Sequence, residues 1–473
     1  MPVAASEVGA WDADTDVVVV GLGCAGASAA LGAAEAGAEV IALERASDGG
    51  GASALAGGVI YLGGGTPVQK ACGFDDTAED MFRFLVAACG PDVDEAKVAR
   101  YCDGSLEHFA WLVDHGVPFK STFYADPVYE VLTDDGLMYS GGEEAWPFCD
   151  IAPPVPRGHC PQIEQRSGVL LMRGLLESVA DAPIDVRSDT MVTRLVLDGD
   201  GAAVGVIARR FGVDMALRAR GGVVVAAGGF AFNDDMLGQH APWLVDERCY
   251  RLGTDGDDGR GIRMAQAAGA AVRHMDAAEV SAPAPPNLLA PSLLVNGAGQ
   301  RFINEDVYHG RAGQAAMTRQ DKEVYLVLDE EIFEANPSWL KITWAAGTVA
   351  ELEADMGLPA GALRATVDVY DRHARDGHDP LFHKHPRWVR PLRPPYGAID
   401  LRRGLYGVFT LGGLQTQVTG EVVDLDGDVI PGLYAVGRTA SGIPAFGYVS
   451  GISLGEGTFF GRIAGRRAAA RSA

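Results

Sequence analysis

What this 473-residue chain lacks removes several classes of function. Its seven cysteines, Cys24, Cys72, Cys89, Cys102, Cys149, Cys160 and Cys249, are scattered and never spaced as CxxC. That argues against a disulfide framework and against an iron-sulfur centre. Basic residues are outnumbered, 39 Lys and Arg against 63 Asp and Glu, for a formal net charge of -24. Such an acid surplus repels a phosphate backbone over most of the surface, so nucleic acid is not an expected partner. The ten histidines form no HExxH, HKHP at 383–386 lacks a partner set, and DLDGD at 424–428 is too short for a calcium loop. No metal is therefore expected. No apolar run reaches the roughly 20 residues a membrane span needs. The run opening at Val17 is broken by Gly21 and Gly23, and no basic stretch leads into it. A reduced, cytoplasmic setting is expected.

Glycine, by contrast, is abundant: 62 of 473 residues, about 13%, against about 7% in ordinary globular chains. With no G-X-Y period, these glycines are not collagen-like. They gather in GLGCAG, DGGGASALAGG, LGGG, TDGDDG, LGGLQT and GYVSGISLGEG. Short glycine patches of this kind place sharp backbone bends or close approach to a ligand, which points to a cofactor protein.

The N-terminal patch has the most specific context. Asp16 to Val20 reads as a strand, Ala25 to Ala36 as a helix, and Glu39 to Leu43 as a second buried strand ending in Glu44. Gly21, Gly23 and Gly26 thus form GxGxxG between strand and helix. The first two glycines allow the tight turn and pyrophosphate approach, and the third allows close helix packing. The helix N-terminus would hold the pyrophosphate, and Glu44 would accept the ribose hydroxyls, its acidity disfavouring a 2'-phosphorylated cofactor. Small residues after the second strand, Gly49 to Ser53 and Ala56 to Gly58, leave room for a flat flavin edge. At the other end of the chain GLYAVG ends a strand at Gly437, and Ser453, Leu454 and Gly455 open a helix able to stabilise negative charge. The expected cofactor contacts are Gly21, Gly23, Cys24, Ala25, Gly26, Glu44, Arg45, Gly51, Ala52, Ser53, Gly57, Gly58, Ala227, Gly228, Gly437, Arg438, Ser453 and Leu454. For Arg438, a ligand contact and a structural pairing are equally open.

Between these ends the text changes. Ala71 to Val117 is helical, Pro118 to Pro161 a long ordered excursion, and Leu170 to Ala180 a helix. Strand-like pieces follow at Met191 to Leu197, Ala202 to Arg209 and Val213 to Arg218, and the buried pattern GGVVVAAGGF at Gly221 to Phe230 resumes the sheet. Gly259 to Ala268 reads as a helix. Beyond Met275 the alanine-glycine texture gives way, and a strand at Val324 to Leu328 with helices near Ser338 to Glu353 and Ala360 to Arg375 supplies a second unit. The fold class expected is α/β: a Rossmann-like FAD-binding domain at 1–278 and 409–473, split by an α+β substrate domain at 279–408.

WDADTDVVVVGLGCAGASAALGAAEAGAEVIALER, GGASALAGGVIYLGGGT, LMYSGGE, RGHCPQ, RFINEDVYHGR and GYVSGISLGEGTFFGR resemble the 3-ketosteroid Δ4-(5α)-dehydrogenases, FAD enzymes of the fumarate reductase/ketosteroid dehydrogenase flavoprotein superfamily. The resemblance covers nearly the whole chain, and its LMYSGGE, Tyr308 and GYVSG segments are its most specific parts. It implies non-covalent FAD, a 3-keto-5α-steroid substrate and an unidentified electron acceptor. It further implies loss of the C5 hydrogen as hydride to flavin N5 and of a C4 proton to an enzyme base, giving a 4-ene-3-one. Tyr448 matches the group that hydrogen-bonds the C3 carbonyl; Ser450 matches the C4 proton acceptor, assisted by Tyr308. Carbonyl hydrogen bonding stabilises charge where the reaction develops it. A lone serine is a poor base, so it needs a relay or a concerted route. Tyr139 and Ser140 are expected to border the cofactor or substrate cavity, and Phe446 to line an apolar channel.

The alternative enzyme is a flavin-dependent ene reductase of the fumarate reductase type acting on a small unsaturated carboxylate, with His383, His385, Arg387 and Arg438 as candidate cations. Against it, TLGGLQT at 410–416 lacks the histidine of the corresponding fumarate reductase segment. A non-catalytic flavin-binding module would keep the nucleotide motifs without substrate-dependent flavin reduction.

Overall fold

The computed structural model describes residues 1–334 and 340–472. Its frame is a nine-stranded mixed sheet. At the centre the apolar runs Ala13–Val20, Val40–Leu43 and Ile184–Arg187 pair in parallel, and Val213–Val225 lies on the other side of Ala13–Val20. Val429–Ala435, from the far end of the chain, pairs in parallel with Val223 to Val225 and completes the sheet. Val17, Val18, Val19, Val223, Val224, Val225 and Leu433 are all fully buried, as expected of parallel strands covered on both faces.

The expected helix after GxGxxG runs over Cys24–Glu35, and the C-terminal helix Ile452–Ser472 packs against it. Their approach is close enough to require small residues. A Cβ on Gly461 would lie 2.4 Å from Ala25 O, and one on Gly465 would lie 2.0 Å from Ala29 O. The chain therefore closes by returning to its starting fold.

Two local readings change. Val213 to Arg218 and the segment opening at Gly221 are one 13-residue strand, not two. Along one edge it pairs with Ala203–Arg210, antiparallel, up to Arg218 and with Val429–Ala435, parallel, from Val223; along the other it runs parallel to Ala13–Val20 from Leu217 to Val225, with an irregularity between Ala219 and Gly222. The Gly221-Gly222 pair interrupts the apolar pattern, but it marks a bulge that switches partners. The helix expected near Ser338 to Glu353 begins outside the described residues; within them Trp344–Ala346 is a strand and helix starts only at Val349.

The chain between the N- and C-terminal strands of the large sheet forms a four-stranded sheet in the order Leu293–Asn296, Val324–Asp329, Tyr396–Asp400, Trp344–Ala346, with helix Val349–Met356 packed on it and helix Ala362–Ala374 on that helix. A three-stranded sheet joins it to the frame: Tyr406–Thr410 pairs with Cys249–Arg251 on one side and with Ala278–Ser281 on the other. The joining strands carry residues on both sides of positions 278 and 408, and they floor the cavity described next. Among the described residues no helix is long and apolar enough to cross a membrane.

Candidate active site

Four parallel strands end at one place. Val20-Gly21, Leu43-Glu44, Ala226 to Gly228 and Val436-Gly437 follow their carboxyl ends, and all line a cavity of about 1180 Å³. Ligands of open α/β sheets bind at this edge. The volume exceeds the roughly 300–1,000 Å³ of a typical single-ligand pocket, so a dinucleotide and a second molecule have room together.

The nucleotide end is built as GxGxxG requires. Gly21 has φ +95°, and a Cβ there would sit 2.5 Å from Ala226 O. A Cβ on Gly26 would sit 1.9 Å from Gly21 O, so the helix can approach the turn only with glycine at that position. Gly23 caps the helix Cys24–Glu35 without any side-chain bond, and Ser53 Oγ accepts from Cys24 N at 3.1 Å. Glu44 is fixed at the strand end: Oε2 accepts from Leu22 N and Oε1 from Ala46 N, both at 2.8 Å. Gly21, Gly23, Cys24, Ala25, Glu44, Arg45, Gly51, Ala52, Ser53, Gly57, Gly58, Ala227, Gly228, Gly437, Arg438, Ser453 and Leu454 all line the cavity, and Gly26 stands behind them as a packing residue.

Arg438 makes the structural pairing and also lines the cavity. Its Nη2 makes 2.9 Å bonds to both oxygens of Asp257, its guanidinium lies 5.5 Å from the Phe409 ring centroid, and its buried Nη1 has no partner. Asp257 also accepts from Gly229 N at 3.0 Å, so it organises the glycine turn and the arginine together. Sequence reading passed over Asp257; its only signal was its place in the TDGDDG patch. A flavin dinucleotide fits these residues: an uncapped helix start and Glu44 at one end, a cation with a spare buried donor at the other, and little side-chain bulk between.

The second end of the cavity is aromatic. Tyr308 is the N-cap of His309–Arg319, and Tyr448 stands before the C-terminal helix. Their ring centroids are 6.3 Å apart, and Phe409 meets Tyr448 edge-on at 5.3 Å. Tyr448 Oη accepts from Ser453 N at 3.4 Å. A phenol both accepts and donates, so its proton remains for an acceptor in the cavity. Burial pushes both phenols up, Tyr308 strongly, and keeps them protonated. Ser450, half-buried, lines the same cavity. Tyr308, Tyr448 and Ser450 are thus brought onto one wall, although the hydrogen-bond partner of Tyr308 is not Ser450. It is Glu279, whose Oε1 accepts from Tyr308 Oη at 2.9 Å. Burial pushes the Glu279 carboxyl up to about 7. An acid alone in the apolar run AAEV offers no motif, which is why sequence reading missed it.

Tyr139 and Ser140 line a separate small cavity of about 60 Å³, which shares Ser450, Tyr308 and His309 with the large one. Phe446 lies outside both; it is 39% exposed, and its carbonyl accepts from Gln314 Nε2 at 2.6 Å. The candidate carboxylate-binding cations are engaged elsewhere. Arg387 pairs with Glu144 at 2.6 Å, His385 accepts from Arg387 N, and His383 packs on Trp146. None of these three lines the large cavity.

Residues 16–455 match the FAD-binding domain family. The chain is accordingly an FAD-binding flavoprotein. Its backbone superposes with a TM-score of 0.96 on the 3-ketosteroid-Δ4-(5α)-dehydrogenase of Rhodococcus jostii RHA1, solved with 4-androstene-3,17-dione, at 51% identity and 99% coverage of both chains. A 3-oxo-5-alpha-steroid 4-dehydrogenase of Comamonas testosteroni is 29% identical over 506 residues, 90% of this chain and 93% of that protein. A probable fumarate reductase of Shewanella frigidimarina is 26% identical over 470 residues, 96% of this chain and 75% of that protein. At 51% identity over nearly its full length, the chain belongs to the 3-ketosteroid-Δ4-(5α)-dehydrogenase family.

Proposed function

We infer that the protein is an FAD-dependent oxidoreductase that desaturates 3-keto-5α-steroids between C4 and C5. The observation that carries this reading is that Tyr308, Tyr448 and Ser450 line the same cavity as the GxGxxG turn. Bound FAD supplies the hydride acceptor for C5. Tyr448 donates to the C3 carbonyl oxygen, stabilising the charge that builds there as the C4 proton leaves. Ser450 receives that proton, and Tyr308 assists by carrying it away from the substrate. The lining is more apolar than polar, as suits a mostly hydrocarbon substrate.

The fumarate reductase reading needs cations facing the substrate. His309, at the aromatic end, is held neutral because burial pushes it down to about 3. Arg387, His383 and His385 lie outside the large cavity and Arg438 is bound to Asp257; Lys341 and Arg403 do line the cavity, so the ketone reading rests on the Tyr448 donor rather than on a lack of cations. All seven cysteines are free, which supports the cytoplasmic assignment.

The test is anaerobic mixing of the holoenzyme with a 3-keto-5α-steroid while flavin absorbance is followed. Bleaching with formation of the 4-en-3-one supports the reading. Fumarate turnover without steroid turnover overturns it.

A further inference from the structure

We propose that Glu279 ends the proton path that begins at C4 of the substrate: the proton taken at Ser450 moves to Tyr308, and the phenolic proton of Tyr308 moves to the Glu279 carboxylate. The proposal rests on the steroid dehydrogenase reading and adds to it a residue that acts through Tyr308.

Three independent features support it. Tyr308 already donates to Glu279 Oε1 at 2.9 Å, and the lone pairs of the phenol remain able to accept an incoming proton. Glu279 lies in the cavity wall at 3% exposure, and among the described residues no Lys or Arg forms an ion pair with it. A carboxylate buried without a cation is costly to keep charged, so it is suited to take up a proton rather than to anchor structure. Space is also reserved for it: a Cβ on Gly310 would lie 2.3 Å from Oε1 and 2.6 Å from Oε2.

The groups around Glu279 leave its charge responsive. The helix beginning at His309 presents Tyr308 and Arg311; the guanidinium of Arg311 is turned to Ala88 O at 2.5 Å and lies 4.6 Å from the Phe148 ring centroid. His309 stays neutral. On its own strand, Ser281 Oγ donates to Oε1 at 3.5 Å. The paired strand Tyr406–Thr410 places Phe409 opposite Glu279 and carries Tyr406 as its one titratable group. Tyr448 completes the ring of neighbours.

The step balances. The C4–H bond breaks and its electron pair becomes the new C4=C5 π bond as hydride leaves C5 for bound FAD. Ser450 Oγ gains the C4 proton and gives up its own to Tyr308 Oη, and Tyr308 gives its own to Glu279. Serine and tyrosine end unchanged; the carboxylate ends as a carboxylic acid.

Glu279→Gln keeps an acceptor for Tyr308 and nearly the same shape but takes up no proton. In holoenzyme, single-turnover flavin reduction by a 3-keto-5α-steroid should rise with pH in the wild type and level above about 7, because the acceptor must be ionised. In Glu279→Gln the rate should fall about 100-fold, within the range of general acid-base effects, and become flat across that interval. Infrared difference spectra of the resting holoenzyme provide a readout independent of turnover. Protonated-carboxyl C=O absorbance should grow as pH falls through about 7 in the wild type, and the wild-type minus Glu279→Gln difference should isolate one such component beside those of the buried Glu456 and Glu143. A Glu279→Gln enzyme with wild-type rate and pH profile, or one whose carboxyl absorbance shows no component lost relative to the wild type, overturns the relay while leaving the steroid reading in place. If that variant loses FAD, Glu279→Asp takes its place: a displaced pH profile supports the proposal and an unchanged one overturns it. A wild-type enzyme inert to steroid overturns the underlying reading, and the relay with it.

Discussion

Ser140 and Ser450, 310 residues apart in the chain, hold each other by two hydrogen bonds: Ser450 N donates to Ser140 O at 3.1 Å, and Ser140 Oγ donates to Ser450 O at 3.0 Å. The backbone of the proposed proton acceptor is thereby clamped from the LMYSGGE segment. Ser140→Ala removes one of the two bonds, a change worth about 1 kcal/mol. Steroid-dependent flavin reduction should slow by about five- to tenfold with FAD content unchanged, as read by stopped-flow absorbance.

Tyr448→Phe keeps the ring packed against Phe409 and removes the hydroxyl, and with it the donor to the C3 carbonyl and the long bond accepted from Ser453 N. Loss of one such donor typically costs about 10²–10³ in rate. Single-turnover reduction should fall by that factor while the flavin spectrum of the resting enzyme stays the same. A rate near wild type would remove Tyr448 from its assigned role.

The nucleotide end was largely legible in the sequence because its constraints are local. Strand, turn and helix follow each other within the stretch from Asp16 to Ala36, and Gly26 can be recognised from spacing alone. The aromatic end was legible only in part. Tyr308, Tyr448 and Ser450 came from resemblance, since each alone reads as ordinary packing. Glu279 and Phe409 face each other across a strand pair formed by segments more than a hundred residues apart, a register that no local pattern encodes. Asp257 reaches Arg438 over a separation of 181 residues. The strand Val213–Val225 was cut in two because its glycines signal a break, whereas the fold uses them as a bulge.

Gly26→Ala tests the nucleotide turn. Its Cβ would meet the Gly21 carbonyl oxygen at 1.9 Å, and backbone on both sides prevents easy relief. Overpacking costs about 1–3 kcal/mol even where side chains can shift. The variant should purify with little FAD and a lowered unfolding temperature; full FAD occupancy at wild-type stability would contradict the assigned packing.

Glu143 is buried, accepting from Gly141 N at 2.9 Å and from Tyr61 Oη at 3.2 Å, and burial pushes its carboxyl from 4.5 up to about 6. The native state therefore binds more protons at this site than the unfolded chain does between those values. The stability this gives is full below about 4.5 and is lost as pH rises through about 6. Glu143→Gln does not titrate, so its stability relative to wild type should rise over that window by on the order of 2 kcal/mol. Denaturant unfolding of both proteins at the two pH limits checks the sign.

The central claim is that this FAD site oxidises a ketosteroid across C4 and C5, and one anaerobic experiment tests it directly. Holoenzyme is mixed separately with matched 5α- and 5β-3-ketosteroids and with succinate, and flavin absorbance and organic products are measured together. The account predicts flavin bleaching and a 4-en-3-one product from the 5α-steroid, with the 5β-steroid and succinate leaving the flavin oxidised. Bleaching by succinate with the 5α-steroid recovered unchanged would contradict it.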